Sequence, residues 1–385
     1  MKKETKTILV QIFLFLFTFV STTLAGAEWA YSKSIYSYTK EAGLGINTNF
    51  SWADFCLGMN FSIPFLLILT VHEFGHYFTA LAYKVKSSLP YYLPVPPIPG
   101  LPSFGTLGAV IRIRERVRTN VQNFDIGLAG PLAGFIVALI VITYGFLTLP
   151  PPEYIFQFHP EYKQYGLDYA SHVYTPEYIE GKQIFDIKFG DNLLFYFFKH
   201  VVADPARVPN PHELMHYPVL MAGLLSLLFT SINLFPIGQL DGGHITYGLF
   251  GEKKHRLIAT VTFVSLIFFA GLGSVKPTDS FDELQWSVPL TLLFYYFCFG
   301  ALKTTTENTV MITLLVFAIQ LVIGWLAPQI TGYSGGMLFL FLIARVIGLY
   351  HPPSEIEQPL NRTRVILGWI SLIIFVISFT PYPIS

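Results

Sequence analysis

Charged residues are scarce in this chain. Only 12% of its 385 residues are Asp, Glu, Lys or Arg, about half the share found in soluble globular domains. The 24 basic and 24 acidic residues cancel, and no domain-sized basic face is visible, which argues against a nucleic-acid partner. A soluble domain with one anchor is excluded, because apolar runs near the roughly 20 residues that cross a bilayer recur along the whole chain.

Cysteine is almost absent. Cys56 and Cys298 are the only two, and they lie far apart in sequence. A disulfide framework or a cysteine metal site would need more cysteines at closer spacing. We therefore expect neither cross-links nor thiolate clusters.

The apolar runs predict an all-α polytopic membrane protein with about nine transmembrane helices. They are placed near residues 8–25, 59–83, 121–147, 218–235, 257–275, 287–302, 309–327, 335–350 and 364–380. The first run follows three lysines and also fits a secretory signal peptide, but its length favours a retained helix. With the N-terminus in the cytoplasm, sixteen of the 24 Lys and Arg residues lie on the cytoplasmic side, as the positive-inside rule requires.

A proline-rich segment follows the second predicted helix. Six prolines between Pro90 and Pro102 exclude a helix, yet the segment is apolar, which predicts a re-entrant loop buried against protein. In the next stretch, 104–114, isoleucine and arginine alternate near the end. That pattern predicts a β-ribbon whose free edge could hold an extended peptide; a surface turn with a basic end is the alternative.

The strongest chemical signal lies inside an apolar run. His72, Glu73 and His76 form an H-E-x-x-H motif. Positions i and i+4 share one helix face, so both imidazoles can reach one metal ion. The intervening glutamate is then placed to act as general base toward a water on that metal.

A catalytic zinc needs a third protein ligand and one open position. Asp241 is the favoured candidate, because it follows a Pro/Gly break at the same predicted depth. An acid at that depth is costly unless it is paired or bound to a metal. His244 is the alternative ligand. Asn233 could donate a hydrogen bond to a developing oxyanion, or its amide could serve only helix packing.

Other histidines and small residues receive structural interpretations. A second H-E-x-x-H, His212–His216, lies between two prolines on the opposite predicted side of the membrane, and we interpret it as the start of a helix. Gly127, Gly130 and Gly134 indicate close helix packing. Isolated histidines are expected at surfaces or interfaces rather than on a metal: His159, His172, His200, His255 and His351.

Two separated motifs together resemble the site-2 protease family of intramembrane zinc metalloproteases. One is His72-Glu73-Phe74-Gly75-His76 in an apolar helix. The other is Asn233-x-x-Pro236-x-x-x-Leu240-Asp241-Gly242. The segments 104–111 and 125–131 also look like the family core, and the resemblance covers roughly 55–250. It implies zinc ligands at His72, His76 and Asp241 and a catalytic base at Glu73.

The resemblance further implies a substrate that is itself a membrane-spanning protein, cut within or beside the bilayer, in regulated proteolysis. It suggests the bacterial cytoplasmic membrane as location. Many bacterial members carry a peptide-binding domain, which the insert here does not resemble. A metal transporter and an inactive membrane scaffold are the alternative functions, and the oligomeric state is open.

These inferences divide the chain into five parts. They are an N-terminal helix with a polar connection (1–57), catalytic core helices with the re-entrant loop (58–149), an extramembrane insert (150–212), a core helix with the Leu-Asp-Gly motif (213–256) and C-terminal transmembrane helices (257–385). The insert is predicted to contain a few strands.

Overall fold

The protein is described by a computed structural model that covers residues 3–39, 43–99, 103–182 and 187–384. Most of the described chain is helical. The α-helices are α1 (Lys3–Tyr31), α2 (Trp52–Ala82), α3 (Asn120–Leu147), α4 (Ala170–Val173), α5 (Pro176–Lys182), α6 (Leu193–Phe197), α7 (Pro218–Asn233), α8 (Asp241–Gly271), α9 (Phe281–Phe299), α10 (Thr306–Leu326), α11 (Met337–Leu342) and α12 (Arg362–Ser378).

Shorter elements connect them. The 3₁₀ helices are Pro152–Gln157, Pro160–Asp168, Leu214–His216, Gly300–Leu302 and Ser334–Gly336, and the π-helices are Phe198–Val202 and Ile343–Ile347. Strands β1 (Tyr36–Thr39) and β2 (Gly43–Ile46) form one antiparallel pair, and β3 (Tyr91–Pro94) and β4 (Thr106–Val110) form another.

Six helices of the described chain have the length and apolar composition needed to cross a membrane. They are Glu4–Tyr31, Trp52–Ala82, Asn120–Leu147, Asp241–Gly271, Phe281–Leu302 and Thr306–Leu326. The predicted spans near 218–235, 335–350 and 364–380 are also helical, but those helices are shorter. Membrane insertion of the chain is thus supported, whereas the count of nine spans stays a prediction.

The chain forms two compact units. Unit 1 contains Met1–Arg116, Ala129–Ile232 and Ile373–Ser385, and unit 2 contains Val117–Leu128 and Asn233–Leu372. Each unit has its own packed interior.

In unit 1, α1 and α2 pack closely because small residues face each other. Ser51 caps the start of α2 through a capping box with Asp54, which fixes where the helix begins. Further along, the Thr23 and Ser62 hydroxyls share a buried hydrogen bond of 2.7 Å. The first apolar run is therefore a helix packed in unit 1, and its retention in place of signal-peptide cleavage stays a prediction.

The closest point of that contact yields a stability prediction. A Cβ added to Gly58 would lie 2.0 Å from the Thr23 carbonyl oxygen, so Gly58→Ala must push the two helices apart. We expect a loss of about 1–3 kcal/mol, read as a lower thermal midpoint in detergent. Gly45→Ala is the control, because a Cβ there meets no atom within 4 Å. Equal midpoints for both variants would contradict the packing described.

The β3–β4 hairpin lies against α1. Gln11 Nε2 donates to the Leu89 carbonyl at 2.7 Å, and Ser21 Oγ donates to the Gly105 carbonyl at 2.6 Å. Gly105 has a φ of +84°, and a Cβ on it would lie 2.3 Å from the Thr22 Cα. No larger residue fits there. The described residues of the proline-rich segment, 87–99 and 103–106, are non-helical as predicted, and Pro102 lies outside the described residues. Strand β4 confirms the ribbon over the surface turn. Its depth in the membrane stays a prediction.

The insert differs from its prediction. Its described residues fold into short helices, and the expected strands are not among them; a lone bridge joins Phe189 to Ile384. Prolines begin three of the helices, at Pro152, Pro160 and Pro176, where a missing N–H costs nothing. A small core packs beneath them, made of Ile155, Tyr162, Tyr169 and Val173. The abundant tyrosines suggested strands by propensity, but tertiary packing placed them on short helical turns.

In unit 2, α8 begins sixteen residues before the predicted helix. It starts at Asp241 and kinks at Gly251, which has a φ of +74°. Asp125 and Arg364 form a bidentate ion pair with bonds of 2.7 and 2.8 Å. The buried Tyr295 hydroxyl of α9 donates to Gln320 of α10 at 2.8 Å.

Both cysteines are free, as expected. Cys56 is exposed and Cys298 is buried.

Candidate metal centre

The two histidines of the first H-E-x-x-H lie on the buried face of α2. That face also buries Gly58, Phe61, Phe65 and Ile68, at the three- and four-residue spacing of one helix face. His72 and His76 are 4% and 6% exposed, and their Nε2 atoms are 3.1 Å apart. Tetrahedral zinc with nitrogen at about 2.0–2.1 Å separates its ligands by about 3.3 Å. The pair therefore fits one metal ion.

Two glycines of α3 make room for these rings. A Cβ on Gly130 would lie 2.1 Å from His76 Nε2, and a Cβ on Gly134 would lie 3.0 Å from His72 Cβ. Gly75 of α2 in turn approaches the Ala129 carbonyl, 2.7 Å from its would-be Cβ. The sequence interpretation of Gly130 and Gly134 as packing residues was thus incomplete, because they pack against the metal-binding side chains themselves.

Glu73 is buried beside the two histidines, with 4% of its surface exposed. One turn earlier, the Thr70 hydroxyl shares a hydrogen bond of 2.8 Å with the Tyr92 hydroxyl of β3. Burial raises the pKa of Tyr92, the Thr70 bond lowers it, and the negative charge of Glu73 raises it. Tyr92 is therefore close enough to Glu73 for the carboxylate charge to raise its pKa. No sequence motif indicated this neighbour.

In unit 2, Asp241 is the first residue of α8 and is partly buried. A helix N-terminus favours a carboxylate there. The preceding loop, 234–240, folds back on the helix: a Cβ on Gly242 would lie 1.9 Å from the Leu234 carbonyl, and one on Gly243 would lie 2.3 Å from the Gly238 carbonyl. The Asp-Gly-Gly sequence thus permits the turn that presents Asp241. Asn233 ends α7, directly before this loop.

His244, the alternative third ligand, lies one turn after Asp241. Its Nδ1 is 2.8 Å from His351 Nε2, and His351 Nδ1 donates to the Pro352 carbonyl at 2.6 Å. Neutral His351 thus has its proton on Nδ1, and its Nε2 accepts a hydrogen bond from Nδ1–H of His244. This bond occupies one nitrogen of His244 within unit 2.

The second H-E-x-x-H is not an α-helix. Leu214–His216 form a single 3₁₀ turn before α7, and the His212 ring stacks on Tyr174 with 4.1 Å between centroids. The i,i+4 geometry of a helical zinc motif is consequently absent from this described segment. The segment was predicted to be the start of a helix; it instead forms turns directly before α7, which begins only at Pro218.

Comparison with known proteins finds relatives that are named as probable zinc metalloproteases. The chain is 26% identical over 226 residues to "Probable zinc metalloprotease EGY2, chloroplastic" of Oryza sativa subsp. indica, which covers 54% of this chain and 35% of the relative. The Arabidopsis thaliana protein of the same name is 28% identical, over 55% of this chain and 35% of the relative. "Probable zinc metalloprotease EGY1, chloroplastic" of Arabidopsis thaliana is also 28% identical, over 52% of this chain and 31% of the relative. The chain thus spans about a third of the length of these relatives. No solved structure matches.

All three relatives are named as plant chloroplast proteins. They give no support to a bacterial cytoplasmic membrane. A family model described as peptidase family M50 matches residues 60–272, more than half of the chain, and this range includes His72, His76 and Asp241. With both motifs inside the matched region, the chain belongs to peptidase family M50, the site-2 protease family.

Proposed function

We propose that the protein is a membrane zinc endopeptidase that hydrolyses peptide bonds within or next to transmembrane helices. The observation that carries the proposal is the His72–His76 pair, buried in α2 with its Nε2 atoms 3.1 Å apart and Glu73 between them. Outward-facing residues of the same helix are apolar and half exposed, namely Ile63, Leu67 and Phe78, as lipid contact requires. The names of the curated relatives support a zinc protease.

Three side chains would hold the zinc: His72, His76 and Asp241. The two imidazoles are supported by their spacing on α2, and Asp241 by its motif and by its position at the start of α8. Two histidines and a carboxylate are a known ligand set of catalytic zinc. When bound, the zinc would polarise the scissile carbonyl and acidify water.

Glu73 then acts as the general base. Its carboxylate accepts a proton from the attacking water and later passes it to the leaving amine. Asn233 donates its amide N–H to the developing oxyanion. Both groups act only on a substrate whose peptide carbonyl is free of helical hydrogen bonds, so the transmembrane substrate must unwind locally.

The β3–β4 hairpin is our candidate for holding the unwound segment. In the described chain β4 has β3 as its only strand partner, so its other edge can accept an extended peptide. Leu107 and Val110 of β4 are exposed. Thr70 bonds to Tyr92 of β3, which brings the hairpin to the depth of the H-E-x-x-H motif.

Gly130→Ala provides a prediction specific to this geometry. The new methyl group would overlap His76 Nε2, and the ring can move away, so the fold should survive while the metal-binding nitrogen is displaced. We expect zinc affinity to fall about 10–100-fold, as for other disturbances of ligand orientation. Competition with a chromophoric chelator measures it.

Gly134→Ala is the graded control, because its Cβ would meet His72 only at 3.0 Å. A smaller loss is expected there. If Gly130→Ala bound zinc at the site as tightly as wild type, the close approach of α3 to His76 would be wrong.

The function is tested in proteoliposomes that contain the purified full chain and a labelled single-span membrane protein. We expect cleavage in or beside the span, loss of cleavage on chelation and recovery with added zinc. Substrates whose span carries a Gly-Pro pair should be cut faster than spans of leucine alone. Absence of cleavage together with zinc uptake into the vesicles would favour the transporter instead. Release of regulatory proteins from the membrane by this cleavage is part of the same proposal.

A further inference from the structure

A second cluster of metal-binding side chains lies in unit 1. His159 of the insert meets Glu213, which precedes the 3₁₀ turn before α7, and His216, which ends that turn. His159 Nε2 is 3.2 Å from His216 Nε2 and 3.5 Å from Glu213 Oε2, and His216 Nε2 is 3.6 Å from the same oxygen. Three donor atoms from distant parts of the sequence thus converge on one point.

The triangle has the size that tetrahedral zinc requires. Zinc bonds of about 2.0–2.1 Å to nitrogen and oxygen place neighbouring donors about 3.3–3.4 Å apart. All three measured distances, 3.2, 3.5 and 3.6 Å, lie close to that edge. Two histidines and one glutamate are also a chemically suitable set for this ion.

The outer contacts orient the donors as they do in metal sites. His216 Nδ1 lies 3.0 Å from the Ala30 carbonyl, so this nitrogen carries the proton and Nε2 has its lone pair toward the cluster. His159 Nδ1 lies 3.4 Å from Glu161 Oε1, which favours the same tautomer. The Tyr174 hydroxyl donates to Glu213 Oε1, and Oε2 faces the histidines. Metal-binding histidines in general have such carbonyl or carboxylate partners on the second nitrogen.

Burial adds to the argument. The Glu213 side chain is 3% exposed, whereas that of His159 is 31% exposed. A carboxylate and two imidazole lone pairs repel one another at this distance in a buried place unless a cation or extra protons lie between them. The exposed side at His159 gives a metal ion a path to the cluster and leaves a coordination position open to water.

We propose that His159, Glu213 and His216 form a second metal site, for zinc or a similar divalent transition metal, which fastens the insert to the ends of α1 and α7. The sequence analysis treated His159 as an isolated surface histidine and His212–His216 as the start of a helix, because the fold alone brings them together. His212 is not a ligand in this site, since its ring stacks on Tyr174.

This site is separate from the H-E-x-x-H of α2. Ala30, which bonds His216, lies one turn beyond Gly26, and Gly26 packs against Gly58. His76 lies 18 residues after Gly58 on the same helix, about 27 Å away at 1.5 Å per residue. The two sites therefore lie toward opposite ends of α2, and the second does not depend on the proposed proteolysis.

The test is the metal content of the full chain in detergent, after metal removal and titration with zinc or cobalt. In a His76→Ala background, which removes the first site, we expect one equivalent per chain. Adding His159→Ala or the isosteric Glu213→Gln should abolish that binding and the associated visible absorption of cobalt. His172→Ala, an exposed histidine in the same insert, is the matched control and should keep it.

If His76→Ala fails to fold, the same metal contents are measured on single variants of the otherwise wild-type chain. Wild type and His172→Ala should then hold two equivalents, and His159→Ala and Glu213→Gln one. A folded His76→Ala protein that binds no metal would overturn the proposal and leave a cluster held by shared protons. Undiminished binding in both cluster variants would overturn it equally.

Discussion

Glu73→Gln is expected to lower the rate of peptide hydrolysis by about 10²–10⁴-fold, the usual contribution of a general base. Glutamine has the same shape but cannot accept the proton of the attacking water. Since the substitution removes no zinc ligand and Glu73 is buried on the packed face of α2, zinc content and thermal midpoint should stay near wild type. Cleavage of the single-span substrate in proteoliposomes measures the rate of hydrolysis. Elemental analysis measures the zinc content, and thermal unfolding in detergent gives the midpoint.

The control for this variant is Glu307→Gln, an exposed glutamate in the first turn of α10. It removes one carboxylate from the chain without touching α2, and cleavage should be unchanged. Full activity in Glu73→Gln with normal zinc content would refute the assigned base. Loss of activity accompanied by loss of zinc would show that Glu73 acts in metal binding rather than in proton transfer.

Asp241→Ala is expected to lose one zinc equivalent relative to wild type together with all measurable cleavage. Two histidines alone leave zinc with too few protein ligands, so the loss of affinity should exceed the roughly 10–100-fold caused by second-shell changes. Asp241→Asn should behave in the same direction, since a neutral amide is a poorer zinc ligand than a carboxylate. Metal analysis and substrate cleavage are measured on the same preparations.

Asp282→Asn is the matched control for helix position, because Asp282 is an exposed acid in the first turn of α9. It should retain zinc and activity. If Asp241→Ala kept its full zinc content while His244→Ala lost one equivalent, the third ligand would be His244, the alternative that the sequence left open. If neither lost zinc, the ligand would have to come from elsewhere in the chain.

Several features could be predicted from the sequence because they depend on local chemistry. Apolar runs placed most helices within a few residues, and six prolines excluded a helix from 87–106, where β3 forms instead. H-E-x-x-H on a predicted helix placed two imidazoles on one face, and their Nε2 atoms are 3.1 Å apart. Each of these inferences needs only chain periodicity and the properties of neighbouring residues.

Other features were missed because they depend on segments distant in sequence. Tyr and Phe in the insert suggested strands, yet they pack into a core between short helices. Gly130 looked like an ordinary packing residue, but its missing Cβ is the space that His76 occupies. Which side chain fills the space beside a glycine depends on the neighbouring helix, and the sequence around the glycine does not specify that neighbour.

By itself the sequence determined that this is a helical membrane protein with a metal-binding helix and an Asp-Gly motif, because periodicity, apolarity and spacing are local properties of the chain. Tertiary structure alone decided which residues surround Glu73, what Gly130 contacts, and that His159 meets Glu213 and His216. The donor atom of His159 comes within 3.2 Å of His216 and 3.5 Å of Glu213, 57 and 54 residues away in sequence, only after the insert has packed on the ends of α1 and α7. No local pattern specifies such a contact, since its free energy comes from the packing of the whole unit.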